Sequence, residues 1–219
     1  MIIQDKILSG ERPLYGSRDL RLERVTIGEG ESALKECRHI EARECEIQGM
    51  YVFWECEDVE CRNCRFTSDD RAPLWYGKNI RMHDCIMDAP KVFRELDGLT
   101  LENIQISDGA EAFWYCKNGH LSDLTMQRAE YAFMQSSKLQ INNLTLQGKY
   151  TFQYARNIEI HNAVLDTKDA FWNSEDCTIY DSDVKGEYLG WYALNLRLVR
   201  CRISGTQPLC YCENLIIED

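Results

Sequence analysis

A motif of about twenty residues repeats along almost the whole chain. Leu20, Ile40, Val59, Ile80, Leu99, Leu139, Ile158, Cys177, Leu196 and Leu215 share one frame. Successive gaps are 20, 19, 21, 19, 40, 19, 19, 19 and 19, and the double gap spans one skipped position at Gly119. A period this short means one supersecondary unit stacked many times, each copy burying its apolar face on the next. The frame has no break, so the 219 residues read as one elongated domain.

Within one repeat, the run from Leu99 to Ile106 alternates apolar and polar residues, and the phase shifts at Asn103. Period two indicates a strand with one buried face, and a phase shift indicates a corner. The same corner column holds Asn63, Asp84, Asp123, Asn143, Asn162 and Asp181, and a second one holds Asn79, Asn118, Asn157, Asn195 and Asn214. Asn and Asp tolerate left-handed backbone angles and bond to nearby backbone groups, as a tight corner requires. A third segment, Phe113-Trp114-Tyr115-Cys116, reads as another short strand. Its first residue recurs as Leu34, Phe53, Leu74, Phe93, Phe133, Phe152, Phe171 and Leu209, an inward stack with Gly190 as the exception.

Three short strands per turn with corners at fixed offsets describe an all-β fold, a parallel β-helix or solenoid. About ten turns give a rod roughly 48 Å long, and the handedness of parallel crossovers predicts a right-handed coil. Residues 1–17 are expected to form an N-terminal cap and residues 18–219 the β-helix. The run Leu215-Ile216-Ile217-Glu218-Asp219 stops in mid-turn, so the C-terminal end reads as uncapped, which suits end-to-end self-association.

Charge narrows the partners. Lys plus Arg number 25 against 36 Asp plus Glu, a net charge of −11. That balance argues against nucleic acid and against anionic membrane surfaces. The opening Met1-Ile2-Ile3-Gln4-Asp5-Lys6 is no basic segment followed by an apolar run, and no stretch approaches the ~18 apolar residues of a membrane span. With eleven cysteines besides, the expected compartment is a reducing cytoplasm.

Three segments carry a family likeness: Gly10-Glu11-Arg12-Pro13-Leu14, the run from Lys168 to Glu175, and Gly186-Glu187-Tyr188-Leu189-Gly190-Trp191. Through them the chain resembles domain-of-unknown-function family 3737, bacterial right-handed β-helix proteins of the pectin-lyase-like fold group. The resemblance spans the whole chain. It implies the fold and no established activity, so no catalytic residue is carried over from it.

The leading candidate site is the column after the inward Phe: Trp54, Trp75, Trp114, Trp172 and Trp191, interspersed with Lys35 and Arg94. The next column adds Tyr76, Tyr115, Tyr154, Tyr192 and Tyr211, with Glu36, Glu55 and Glu95. If the Phe column points inward, the Trp column should point outward, offering an aromatic stripe to a carbohydrate or a protein partner. The plainer reading is that loops or sheet stacking bury these rings.

Other candidates are weaker. Cys61-Arg62-Asn63-Cys64 and Cys210-Tyr211-Cys212 look like metal-ligand pairs, but zinc needs four converging ligands. In the repeat frame Cys45, Cys64, Cys85 and Cys201 share one inward column and Cys37, Cys56, Cys116 and Cys212 another, so core packing is expected and no metal. His83 and His161 lie four turns apart, about 19 Å, and form no cluster. Glu55 and Glu95 lie two turns apart, about 9.6 Å, at the edge of the separation an inverting glycosidase uses. Asp69-Asp70 reads as a turn cap. There is no Gly-rich phosphate loop and no nucleophile elbow, and no cofactor is expected. The sequence therefore supports a non-catalytic binding or scaffold module first. A carbohydrate-active enzyme (a polysaccharide hydrolase or lyase) using Glu55 and Glu95 comes second.

Overall fold

A computed structural model describes residues 1–219. The chain is all β, a parallel solenoid of about 11 turns of roughly 19 residues each. Each strand pairs in parallel with its equivalent one turn on, in the register the repeat predicts. The strand Asp97–Ile106 sets Leu99 against Gly119, Leu101 against Leu121 and Ile104 against Leu124 of Lys117–Glu130. On its other edge Leu99 faces Ile80 of Lys78–Met87. Inward residues from every turn merge into one continuous hydrophobic core. Residues 1–17 wind as a turn of the same coil, with Ile2 opposite Arg21 and Ile7 opposite Thr26.

Both Asn/Asp columns are corners. Asn63, Asp84, Asn103, Asp123 and Asn143 lie at φ 52–55°, and Asn79, Asn118, Asn157, Asn195 and Asn214 at φ 53–57°. Their side chains also link successive turns. Asn103 Nδ2 donates to Asp84 Oδ1 at 2.6 Å, and Asn143 Nδ2 donates to Asp123 Oδ1 at 2.9 Å. At the skipped position Gly119 leaves space that Leu139 fills, its Cδ2 lying 2.8 Å from where a Cβ would stand.

The third segment of each turn differs from the expected strand. It is a run of turns in which alternate residues are left-handed, as at Glu111 (φ 58°), Phe113 (φ 62°) and Tyr115 (φ 58°). The backbone still ladders between turns: Phe113 N–H donates to the Val92 carbonyl and Tyr115 N–H to the Met134 carbonyl. Left-handed angles break the strict in/out alternation. Ala112 and Phe113 are consecutive and both fully buried, Trp114 is half-buried and Tyr115 is exposed. The Phe column is the inward stack that the repeat implies. Phe93, Phe113, Phe133, Phe152 and Phe171 run ring on ring at 4.5–4.9 Å, within 13° of parallel.

Cysteines behave as small core residues. All eleven are free, and eight are buried. Their thiols reach backbone carbonyls of the preceding turn: Cys56 to Leu34 at 2.8 Å, Cys37 to Leu14 at 3.2 Å, Cys116 to Phe93 at 3.3 Å. Burial pushes the Cys116 thiol up to about 12 and Cys177 to about 11, so both stay protonated and unreactive near neutral pH.

Candidate functional site

Trp54, Trp75, Trp114, Trp172 and Trp191 form one file along the turn face, each half-buried rather than projecting freely. The left-handed residues on either side cause this, because they roll the indole down onto the adjacent turn. Each of four indole N–H groups donates to a backbone carbonyl of the next turn. Trp54 bonds Ala72, Trp75 bonds Lys91 and Trp114 bonds Tyr131, all at 2.6 Å, and Trp191 bonds Gln207 at 3.1 Å.

The ring faces are occupied too. Trp54 stacks on Trp75 at 5.2 Å and 7°. The Arg94 guanidinium sits between Trp75 and Trp114, 4.8 Å from each ring, and Lys35 Nζ lies 5.9 Å from Trp54. From Lys35 to Trp114 the file is thus a continuous cation–aromatic stack that staples five turns. Trp172 stands apart, with neither a stacked ring nor a bonded indole N–H. Its column neighbour on the preceding turn, Gln153, is buried.

The accessible aromatic surface belongs to the tyrosines. Tyr76 and Tyr115 are each 42% exposed, and Tyr154, Tyr192 and Tyr211 rise from 49% to 65%. Tyr76 stands edge-on to Trp54 and Trp75, so the buried stack holds the exposed ring in place. A third aromatic file lies two residues before the Phe column: Tyr51, Tyr131, Tyr150 and Tyr188. Tyr131 stacks on Tyr150 at 4.9 Å, Tyr51 packs on Trp54 at 4.8 Å and Tyr188 on Trp191 at 4.7 Å. Sequence reasoning missed this file, although its intervals of 80, 19 and 38 residues are multiples of the repeat and are visible in the chain.

Glu55 and Glu95 share the exposed tyrosine column with Tyr76 between them. Each carboxylate has a cation beside it: Lys35 Nζ is 3.3 Å from Glu55, and Arg94 Nε is 3.7 Å from Glu95. A depression of about 320 Å³ lies at Glu95, Leu96, Tyr115 and Lys117, and Glu55 does not line it. At the N-terminal end the nearby Glu36 carboxylate holds the Tyr15 phenol's pKa above its usual value.

Asp69 and Asp70 part company. Asp70 N–H donates to the Thr67 carbonyl and closes a turn, and Asp69 is exposed. The Asp70 side chain, read from the sequence as part of a turn cap, is fully buried instead, and neither carboxylate oxygen has a partner. Ser68 and Asp69 lengthen this turn and roll Asp70 into a column that other turns fill with Gly49, Ala89, Gly109, Ala129 or Gly148. Burial pushes its pKa well above the usual carboxylate range. The histidines stay dispersed: His83 pairs with Glu102 at 2.9 Å and His161 with Glu159 at 2.8 Å.

Among solved structures, the chain is similar to the A-module of mannuronan C-5 epimerase AlgE4 from Azotobacter vinelandii. Identity is 11% over all of this chain and 86% of that one, with a TM-score of 0.46. It is also similar to tailspike protein 3 of bacteriophage CBA120, at 10% identity over 98% of this chain and 46% of that one, TM-score 0.43. HetL, a pentapeptide repeat protein of Nostoc sp. strain PCC 7120, matches at 11% identity over 96% and 88% of the two chains, TM-score 0.37. Likenesses this distant say nothing about chemistry. Comparison with curated proteins returns no match. The sequence profile of DUF3737, described as a protein of unknown function, matches residues 1–219, and the chain belongs to that family.

Proposed function

We propose that the protein is a non-catalytic binding scaffold whose turn face receives a protein partner through its exposed tyrosines. One observation carries this reading: half-exposed phenol rings form one column beside the Trp file, and within it Tyr76 is braced edge-on against Trp54 and Trp75, whose own N–H groups are already satisfied. Tyrosine presents large contact area at low entropic cost, and a ring braced edge-on against Trp loses little further freedom on binding. Such rings are common hot spots at protein interfaces. The test is an affinity capture with wild type beside the triple variant Tyr76→Ser, Tyr115→Ser, Tyr154→Ser, its fold checked by circular dichroism. A protein retained by wild type and lost from the folded variant supports the reading. Identical capture by both, or none by either, ends it.

A glycan partner has one feature in its favour. Trp172 is the Trp whose ring no neighbour stacks, and Tyr154 and Tyr192 flank it one turn to either side with about half their surface open. Sugar rings stack on aromatic platforms of this kind. Trp172→Ala should then abolish a glycan-array signal that Trp54→Ala leaves in place.

A further inference from the structure

Trp172 differs from the rest of its file in what stands beside it. Tyr51 packs on Trp54 at 4.8 Å and Tyr188 on Trp191 at 4.7 Å, each from three residues earlier in the same turn. Asp169 holds that position before Trp172, in register with Tyr150 and Tyr188 of the adjoining turns. It is 8% exposed, and among charged residues only it and Asp70 are buried. Its carboxyl has neither a hydrogen-bond donor nor an ion pair. Burial raises its pKa, the Lys168 charge opposes that shift and the Glu187 charge adds to it. Lys168 is itself committed to Glu187 at 3.1 Å and lies 5.4 Å from the Tyr188 ring. Lys149, one turn back, is committed to Glu130 at 3.1 Å. These two ion pairs cancel, which leaves the Asp169 charge uncompensated beside an indole that no ring or cation covers.

We infer that Asp169 and Trp172 together receive a guanidinium group, the arginine side chain of a protein partner. The same file shows what it places against an indole: the Arg94 guanidinium lies 4.8 Å from both the Trp75 and the Trp114 rings. Trp172 presents an equivalent ring, and Asp169 adds carboxyl oxygens that lack donors. A guanidinium meets both at once, since its flat face stacks on an aromatic ring while its N–H groups bond a carboxylate in pairs. A neutral sugar stacks on the ring and leaves the half-sealed acid uncompensated, which costs binding energy. A quaternary ammonium carries no N–H to give the carboxyl. The net charge of −11 also draws cationic partners. This inference deepens the protein-partner reading by naming the side chain that the turn face takes, and rests on that reading for the source of the guanidinium.

The test titrates the full chain with Nα-acetyl-arginine amide and follows the five indole N–H signals by NMR, that of Trp172 being assigned through its loss in Trp172→Leu. The citrulline analogue, similar in shape and uncharged, and the lysine analogue, charged and not flat, are the other arms. The expected result is a saturable shift of the Trp172 signal with a Kd of about 1–10 mM, the citrulline analogue binding at least about tenfold and the lysine analogue at least about threefold more weakly. Asp169→Asn keeps the side-chain shape and tolerates the left-handed angle held there (φ 50°). It should abolish the shift while the melting temperature holds or rises. No saturable shift at Trp172, an equal response to either analogue, or binding that survives Asp169→Asn would each overturn the inference, and an equal response to citrulline would return the ring to the glycan alternative. The titration uses no partner protein, and the tyrosine variant used for capture keeps Asp169 and Trp172, so failure here and failure of the protein-partner reading are separate results.

Discussion

Asp70 shows how one residue can run against an otherwise consistent column. Gly or Ala fills most equivalent positions because the backbones of adjacent turns approach closely there; a Cβ on Gly148 would sit 2.3 Å from the Ala129 carbonyl oxygen. Two extra residues open the turn enough for a carboxyl, but supply no donor for it. A buried acid without a partner is held neutral by desolvation, so its folded pKa lies above the unfolded value of 3.8. The ionisation penalty of an acid shifted in that direction is absent below its unfolded pKa. The penalty grows as pH rises from about 4 and levels off above the folded pKa. Asp70→Ala should therefore stabilise the protein at pH 7 by about 1–3 kcal/mol, the cost of an orphaned buried polar group. The advantage should shrink toward pH 4. Urea denaturation at both pH values checks this, and a destabilised variant would mean that the carboxyl finds a partner in the folded chain. Nothing in the sequence around Ser68-Asp69-Asp70 distinguishes the inward acid from the outward one, because local pattern does not record which way a two-residue insertion folds.

At the level of the element, the strands and corners were legible because their chemistry is local: alternation fixes a strand, and Asn or Asp marks a left-handed corner. The aromatic segment was harder. Phe, Trp and Tyr favour strands, and alternation within Phe113-Trp114-Tyr115-Cys116 points to one. Left-handed angles at Phe113 and Tyr115 are held instead by stacking and by backbone bonds to both neighbouring turns. The inward Phe column therefore came out as expected, while the Trp file came out as a staple rather than a free stripe. Arg94 tests this. Its guanidinium joins two indoles, and each such contact is worth about 0.5–1 kcal/mol at a partly exposed site. Arg94→Gln should lower stability by about 1–2 kcal/mol and red-shift tryptophan emission as the indoles flanking Arg94 become wetter. Arg94→Lys should retain part of both, because an ammonium keeps the charge and loses the flat stacking surface. Emission unchanged in Arg94→Gln would show that the indoles are held by their N–H bonds alone.

Over the whole molecule each turn touches only its neighbours, so stability is a sum of turn energies and interfaces rather than the property of one compact core. The interfaces are unequal. Strands reach 10–14 residues between Lys78 and Lys149, and the Phe stack runs unbroken from Phe93 to Phe171. Toward either end strands shorten to two or three residues, and Ile3, Leu8, Leu14, Ile203 and Leu209 pack only partly buried against the core. Amide exchange should therefore be slowest across Lys78–Lys149 and quicken toward both termini. The position of a cavity should then matter more than its size. Phe133→Ala removes a ring stacked on both sides at 4.5 and 4.6 Å, and should cost about 3–5 kcal/mol while speeding exchange in the turns before and after it. Leu209→Ala, at a partly solvated end, should cost markedly less and affect only the final turns. Hydrogen exchange resolved by peptide separates the two outcomes. Uniform loss of protection along the rod in both variants would mean that the solenoid unfolds as a single cooperative unit, and that coupling between turns outweighs the differences among them.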